Sequence, residues 1–199
     1  MNFELLVATN NAHKLKEIRQ ILSPHHITVY GMKDLNINIG EVEENGKTYF
    51  DNALIKAKAL QAKTKMPIIA DDSGLEILAL DHKPGLRSAR FADECGGHAN
   101  AMKILIKELE GKDRSARFMC DIVLVNVEDK PLLFEGIVPG KIGYAPDGET
   151  GFGYDPIFIC DELGKSYASL TEEEKNRVSH RGKALNKLLT YLKINSYAS

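Results

Sequence analysis

Ile68-Ile69-Ala70 is a short apolar run that opens directly after Pro67 and closes on two adjacent carboxylates, Asp71 and Asp72, with Ser73 and Gly74 following. A run this short, bounded by proline and by charge, reads as a buried strand. Acidic residues at the carboxyl end of such a strand lie where α/β sheets bind their ligands. Asp71 and Asp72 are therefore candidates for metal or acid/base work, and Ser73-Gly74 predicts a turn beneath them. The alternative is a turn in which the Asp side chains bond their own backbone.

The chain's first strand ends in a comparable way. Phe3 to Ala8 is apolar except for Glu4, Thr9-Asn10-Asn11 follows, and from Ala12 the pattern turns helical, with Leu15, Ile18, Ile21 and Leu22 on one face. Amides at a helix N-terminus bind anions, whereas a Lys in the first turn opposes the helix dipole. Lys14 occupies such a place; a phosphate in the turn would reverse the sign of that interaction, and a solvated surface lysine is the plainer reading. No Gly-x-x-x-x-Gly-Lys-Ser/Thr pattern is present, so an ordinary P-loop is excluded. Near the other end, Ser179 reads as the N-cap of a last helix with Ala184, Leu185, Leu188, Leu189 and Leu192 as its apolar face. His180 and Arg181 then fall at its positive end, which suggests an acceptor-rich ligand or, alternatively, a basic surface turn pairing with Glu172, Glu173 or Glu174.

Gly151-Phe152-Gly153-Tyr154-Asp155-Pro156 cannot form a regular element; its glycines imply positive φ or close backbone approach. Phe152, held between two of them, offers a face on which a nucleobase can stack, or else plugs the core.

Taken in order, Thr9-x-Asn11-x-x-Lys14, Ala70-Asp71-Asp72-Ser73-Gly74-Leu75, Pro84-Gly85-x-x-Ser88-Ala89-Arg90, Gly151-Phe152-Gly153-Tyr154-Asp155-Pro156 and Ser179-His180-Arg181-Gly182 resemble the inosine triphosphate pyrophosphatase family, the Ham1/RdgB-like house-cleaning enzymes. Each motif is weak by itself, and five in order are specific. Asn10 stands where bacterial members often carry glycine. The resemblance implies magnesium-dependent hydrolysis of ITP, dITP and XTP to the monophosphate and pyrophosphate. It implies that Glu44 and Asp72 bind the metal, with Asp72 also the proton acceptor. Thr9, Asn10, Asn11, Ala12, His13, Lys14 and Ser73 would hold the triphosphate, and Phe152, Gly153, Tyr154, Asp155, Lys175, His180 and Arg181 would surround the base and ribose. It further implies a single domain over 1–199, with a mixed, elongated central sheet, flanking helices and two lobes around a nucleotide-binding cleft, and a homodimer.

Elementary chemistry agrees with that picture. Hydrolysis between the α and β phosphates needs an attacking water, a positioned phosphorus and neutralisation of a polyanion, for which hard oxygen ligands and magnesium are suited. Glu43, Glu44, Asp71 and Asp72 supply oxygens. If Ala70 to Asp72 stays extended, Asp71 and Asp72 point to opposite sides; Asp72 then faces the metal and Asp71 accepts from a structural donor. Hypoxanthine and xanthine carry O6 where adenine carries an amino group, so the donors Lys175, His180 and Arg181 would favour the former and oppose the latter.

Composition bounds the rest. A chain of 199 residues with 43% hydrophobic content forms one sizeable domain or two lobes sharing a core. A net charge of -2 lacks the basic excess of a nucleic-acid binder. No apolar stretch approaches the roughly 20 residues that span a membrane, so the expected location is cytoplasmic. Cys95, Cys120 and Cys160 form no zinc or Cys-x-x-Cys pattern and read as reduced, buried or partly buried residues. A helix is predicted over Thr48 to Lys65, opened by a Thr-x-x-Asp cap with Ala53, Leu54, Ala57 and Leu60 inward. Another is predicted over about His98 to Leu109, and an antiparallel hairpin over Ala116 to Val127 and Leu132 to Val138. This order indicates an α/β fold, mixed in the centre and parallel near the ends of the chain. The hairpin and the Pro84 to Phe91 segment are candidate dimer surfaces. Two rival functions keep part of the pattern: a pyrophosphatase for pyrimidine nucleotides, which has no need of His180 and Arg181, and a non-hydrolysing nucleotide sensor. Clustered carboxylates near a polyanion argue against the sensor, since without a metal between them they only repel the ligand.

Overall fold

The computed structural model describes residues 3–197 of the chain. Its elements run β1 (Phe3–Val7), α1 (Ala12–Leu22), β2 (Ile27–Gly31), α2 (Tyr49–Gln61), β3 (Ile68–Ile77), β4 (Lys83–Pro84), α3 (Ser88–Glu94), α4 (His98–Glu108), β5 (Ser115–Val125), β6 (Leu132–Ile142), β7 (Phe158–Cys160), β8 (Lys165–Ser166), α5 (Glu172–Val178) and α6 (His180–Ile194). The strands form one mixed sheet in the order β2-β1-β3-β5-β6-β7-β8, with β4 paired to β3. β1 pairs in parallel with β2 and with β3. No helix among the described residues is long and apolar enough to cross a membrane.

Two compact units make up the chain. One comprises the residues up to Asp72, Cys120–Gly136 and the residues from Arg181; the other comprises Ser73–Met119 and Ile137–His180. In the first unit the strands are buried on both faces, and successive residues alternate between two cores as the pleat requires. Leu5, Val7, Ile69, Cys120 and Ile122 pack with Ile18 and Leu22 of α1 and with Ala184, Leu185, Leu188 and Leu192 of α6. Leu6, Ala8, Ile68, Ala70, Val123 and Val125 pack with Ala53, Ala57 and Leu60 of α2. The second unit has its own core, in which Leu75, Ile77, Phe118, Val138, Phe158 and Tyr167 meet Ala101, Met102 and Leu105 of α4.

The structure corrects several sequence expectations. No turn follows Asp72: β3 stays extended through Ser73 and Gly74 to Ile77, because Leu75 and Ile77 are themselves apolar and fully buried. Parallel pairing holds at the N-terminal end only. β7 pairs antiparallel with β6 and with β8, since the chain between β7 and β8 closes in a tight turn, with Gly164 N–H on the Cys160 carbonyl at 2.8 Å and Gly164 at φ +64. A connection that short joins only antiparallel strands. α2 ends at Gln61 rather than Lys65, as Pro67 draws the chain before it into an extended path. Its predicted cap is present: Thr48 Oγ1 accepts from Asp51 N–H at 3.0 Å while Asp51 Oδ2 accepts from Thr48 N–H at 3.1 Å. β6 runs past Val138 to Ile142. Ser179 sits at the junction of α5 and α6 and serves as the C-cap of α5.

Candidate active site

Strand alternation sends Asp71 and Asp72 to opposite faces of β3, and each meets different cations. Asp71 turns toward α1 and α6. Its Oδ2 lies 3.0 Å from Lys14 Nζ and 3.1 Å from Arg181 Nη2, and it also accepts from Arg181 Nε at 3.3 Å. Arg181 Nη1 binds Glu17 Oε2. Asp71 and Arg181 are each 2% exposed. Burial alone would raise the Asp71 carboxyl, but Lys14, Arg181 and Lys56 overrule it and hold the group well below the usual carboxylate range. Asp71 Oδ1 has no partner among the described residues.

The turn before α1 is organised by its own side chains. Asn11 is the N-cap, its Oδ1 accepting from His13 N–H at 2.9 Å and from Lys14 N–H at 3.1 Å. Thr9 Oγ1 accepts from Asn11 N–H at 3.1 Å. Thr9 is partly exposed, and Asn10, Asn11, Ala12 and His13 are exposed. Two first-turn amides are thus already satisfied, and an anion arriving here meets the Lys14 ammonium and the remaining polar groups of the turn.

Asp72 turns the other way, toward α2. Its Oδ2 accepts from Asn52 Nδ2 at 3.1 Å, and its Oδ1 lies 3.7 Å from Lys56 Nζ. The same ammonium lies 3.3 Å from Glu44 Oε2, so Lys56 gathers Glu44 and Asp72 about one positive charge. Asn52 also accepts from Gly46 N–H at 2.8 Å, which ties the loop carrying Glu44 to α2. A Cβ on Gly46 would fall 2.5 Å from Asp51 Cβ and 2.7 Å from Asn52 Oδ1, so only glycine allows this approach. Burial raises the Asp72 carboxyl above its ordinary value, against the opposing pull of Lys56, Lys14 and the Asn52 hydrogen bond. Lys56 is itself raised: its burial is outweighed by Asp71, Asp72 and Glu44.

A second group of predicted residues assembles within the other unit. Lys175 Nζ donates to Asp155 Oδ2 at 2.7 Å and lies 4.5 Å from the centre of the Phe152 ring. Asp155 Oδ2 also accepts from Phe152 N–H at 2.7 Å. Gly151 and Gly153 adopt φ +76 and +65, the conformations that the glycine spacing predicts. Tyr154 faces away from this group, donating to the Ser88 carbonyl at 2.7 Å and meeting the His98 ring edge-on at 5.0 Å. His180 is buried, its ring stacked on Phe118 at 4.5 Å, with Tyr167 stacked parallel to Phe118 at 5.5 Å. Ser73 follows Asp72 on β3 and is partly exposed.

Sequence reasoning missed Glu17, Asn52, Lys56, Phe118 and Tyr167. A signal existed for one pair: Asn52 and Lys56 are four residues apart and share a face of α2, polar positions beside an otherwise apolar stripe. Among the described residues no group of three or more His, Cys, Asp and Glu has metal-holding geometry.

These features define a class: an α/β protein whose sheet splits an acidic pair between its two faces, each carboxylate answered by buried cations from the flanking helices. The chain belongs to the Ham1 family, whose sequence profile matches residues 5–191. It is 45% identical over 192 residues to a dITP/XTP pyrophosphatase of Thermoanaerobacter sp. (strain X514), covering 95% of this chain and 96% of the relative. Its identity to a dITP/XTP pyrophosphatase of Treponema denticola is 42% over 194 residues, covering 96% and 98%. The Ham1 protein of Staphylococcus aureus has a similar structure, with a TM-score of 0.84 at 37% identity over 96% of this chain and 99% of that one. A HAM1 protein from Coxiella burnetii gives 0.83 at 37% identity over 96% and 98%.

Proposed function

We propose that this protein hydrolyses ITP, dITP and XTP to the nucleoside monophosphate and pyrophosphate, with magnesium as its cofactor. The observation that carries the reading is the gathering of Glu44 and Asp72 about the Lys56 ammonium. Two hard-oxygen donors already held around one positive charge suit a magnesium ion, which keeps several waters and needs few protein ligands once substrate phosphates complete its shell. Glu44 and Asp72 would hold it. When bound, the ion would neutralise phosphate charge and polarise the phosphoryl oxygens. Asp72, raised by burial, is closer to the poise of a general base than an ordinary carboxylate, and it would take the proton of the water that adds across the α–β linkage. The bond to the pyrophosphate leaving group breaks as the new P–O bond forms.

The remaining assignments divide the substrate's chemistry. Thr9, Asn10, Asn11, Ala12, His13, Lys14 and Ser73 are the proposed triphosphate contacts, with Lys14 as the principal cation. Phe152, Gly153, Tyr154, Asp155, Lys175, His180 and Arg181 are assigned to the base and ribose. Phe152 offers the stacking face, Lys175 donates to O6 and would oppose the amino group of adenine, and His180 is backed by the Phe118–Tyr167 column. Arg181 has a further task, fixing Asp71 with its guanidinium. Relatives named dITP/XTP pyrophosphatase support the substrate class.

We further infer one catalytic domain, in the cytoplasm and as a homodimer. β3, β5 and β6 each run from one unit into the other, three free cysteines suit a reducing compartment, and exposed Leu133 and Ile137 on β6 give an apolar strip for a partner. The test is pyrophosphate release from ITP, XTP, dITP, GTP, ATP and dTTP, with and without magnesium, beside Asp72→Asn. Magnesium-dependent release strongest with ITP and XTP, and lost in the variant, is expected. No release from any of the six overturns the enzyme reading, and a pyrimidine preference overturns the base assignments.

A further inference from the structure

β5 carries one carboxylate on an otherwise apolar face. Alternation places Asp121 with Val123 and Val125, on the side of the sheet where Ala53, Ala57 and Leu60 of α2 pack. It is 6% exposed. The Asp121 carboxylate accepts a hydrogen bond from the Phe50 backbone N–H, and its Oδ1 has no partner among the described residues. Burial, with Glu135 on neighbouring β6 adding repulsion, pushes this carboxyl up to about 6. A buried acceptor left half satisfied is costly and calls for a compensating role.

That role follows from where Phe50 lies. The first amides of a helix have no intrahelical partner. In α2, Asp51 N–H is met by Thr48 Oγ1 and Asn52 N–H by the Thr48 carbonyl, while Phe50 N–H is met from another element, β5. Asn52 stands two residues further along and Lys56 four beyond it, and these are the side chains that hold Asp72. We propose that Asp121 is a positioning residue for the hydrolytic reaction, pinning the first turn of α2 to β5 so that Asn52 and Lys56 stay aligned on Asp72. The inference rests on the proposed pyrophosphatase reading for its kinetic consequence, since a displacement of about 1 Å at a reacting group can cost on the order of 100-fold in rate.

The experiment combines ITP turnover with amide hydrogen exchange, comparing wild type, Asp121→Ala and Asp121→Asn. Asp121→Ala is expected to lower kcat by about tenfold or more, to leave KM for ITP within about twofold, and to speed exchange of the Phe50 amide. Asp121→Asn keeps an acceptor oxygen for that amide and is expected to restore kcat to within about threefold. Unchanged kcat and unchanged Phe50 exchange in folded Asp121→Ala, or equal losses in both variants, overturn the proposal. Should Asp121→Ala not fold, Phe50→Pro is compared with Phe50→Ala: proline in a first turn deletes only the N–H, so a further loss of kcat beyond Phe50→Ala supports the pin and equality overturns it. If wild type releases no pyrophosphate, the functional reading fails separately, and Phe50 exchange still decides whether Asp121 holds the helix.

Discussion

At the residue scale, the two neighbouring aspartates make opposite predictions. Asp71 neutralises buried Arg181 and Lys14, so Asp71→Asn leaves a buried charge uncompensated and is expected to cost about 3–5 kcal/mol near neutral pH. Its pH dependence has a fixed sign. The folded-state carboxyl lies below the unfolded value near 3.9, so its stabilisation is complete above that value and is lost as pH falls toward the folded pKa. Thermal melts at pH 6 and pH 3 should therefore show the gap between wild type and Asp71→Asn narrowing at the lower pH; a constant gap would disprove the assignment. Asp72→Asn removes a carboxylate that burial already disfavours, so its melting temperature is expected to hold or rise while turnover disappears. Equal loss of activity in the two variants, with equal stability, would remove the division of roles. This division was legible in the sequence because side chains alternate along a strand whatever surrounds it. The partners were not: Glu17 meets Arg181 across 164 positions of sequence, and only the packing of α1 and α6 on one sheet face brings them together.

At the element scale, the glycine segment shows how a loop without regular structure can be as constrained as a helix. Gly151 at φ +76 leaves no room for a side chain, since a Cβ would lie 2.2 Å from Asp155 Oδ2. Gly153 at φ +65 has open space, its nearest neighbour being His98 Nε2 at 3.7 Å. Alanine at either position incurs the left-handed backbone penalty of about 1–2 kcal/mol, but only Gly151→Ala also displaces the carboxylate that holds Lys175 and the Phe152 amide. Gly151→Ala is expected to raise KM for ITP by about tenfold or more and Gly153→Ala by much less; steady-state kinetics on the pair, with equal effects as the contrary result, decides this. Positive φ was readable from the glycine spacing. The placement of Asp155 behind Gly151 was not, because a sequence records which residues can bend and not what they bend around. α2 gives the converse case, its Thr48–Asp51 cap being a local pattern that the structure reproduces, while the Asn52 and Lys56 contacts depend on a strand that local pattern does not reveal.

At the scale of the whole molecule, neither compact unit is a continuous piece of chain, and this decides what can be removed. The sequence reading found the apolar stripe of the last helix, and Ala184, Leu185, Leu188, Leu189 and Leu192 are all buried. It had no means of showing that this stripe covers the face built by Leu5, Val7, Ile69 and Ile122, strand residues from β1, β3 and β5. Burying four leucines contributes on the order of 6–12 kcal/mol at about 1.5–3 each, comparable to the roughly 5–15 kcal/mol net stability of a typical domain. Loss of α6 also takes away Arg181, leaving Asp71 and Glu17 as acids in a buried setting without their cation. A chain ending at Ser179 is therefore expected to show no cooperative thermal transition and to be digested rapidly by protease. A cooperative melt in that truncated chain would mean that the core around β1 and β3 closes without its last helix, and that the ion cluster on Asp71 is dispensable for folding.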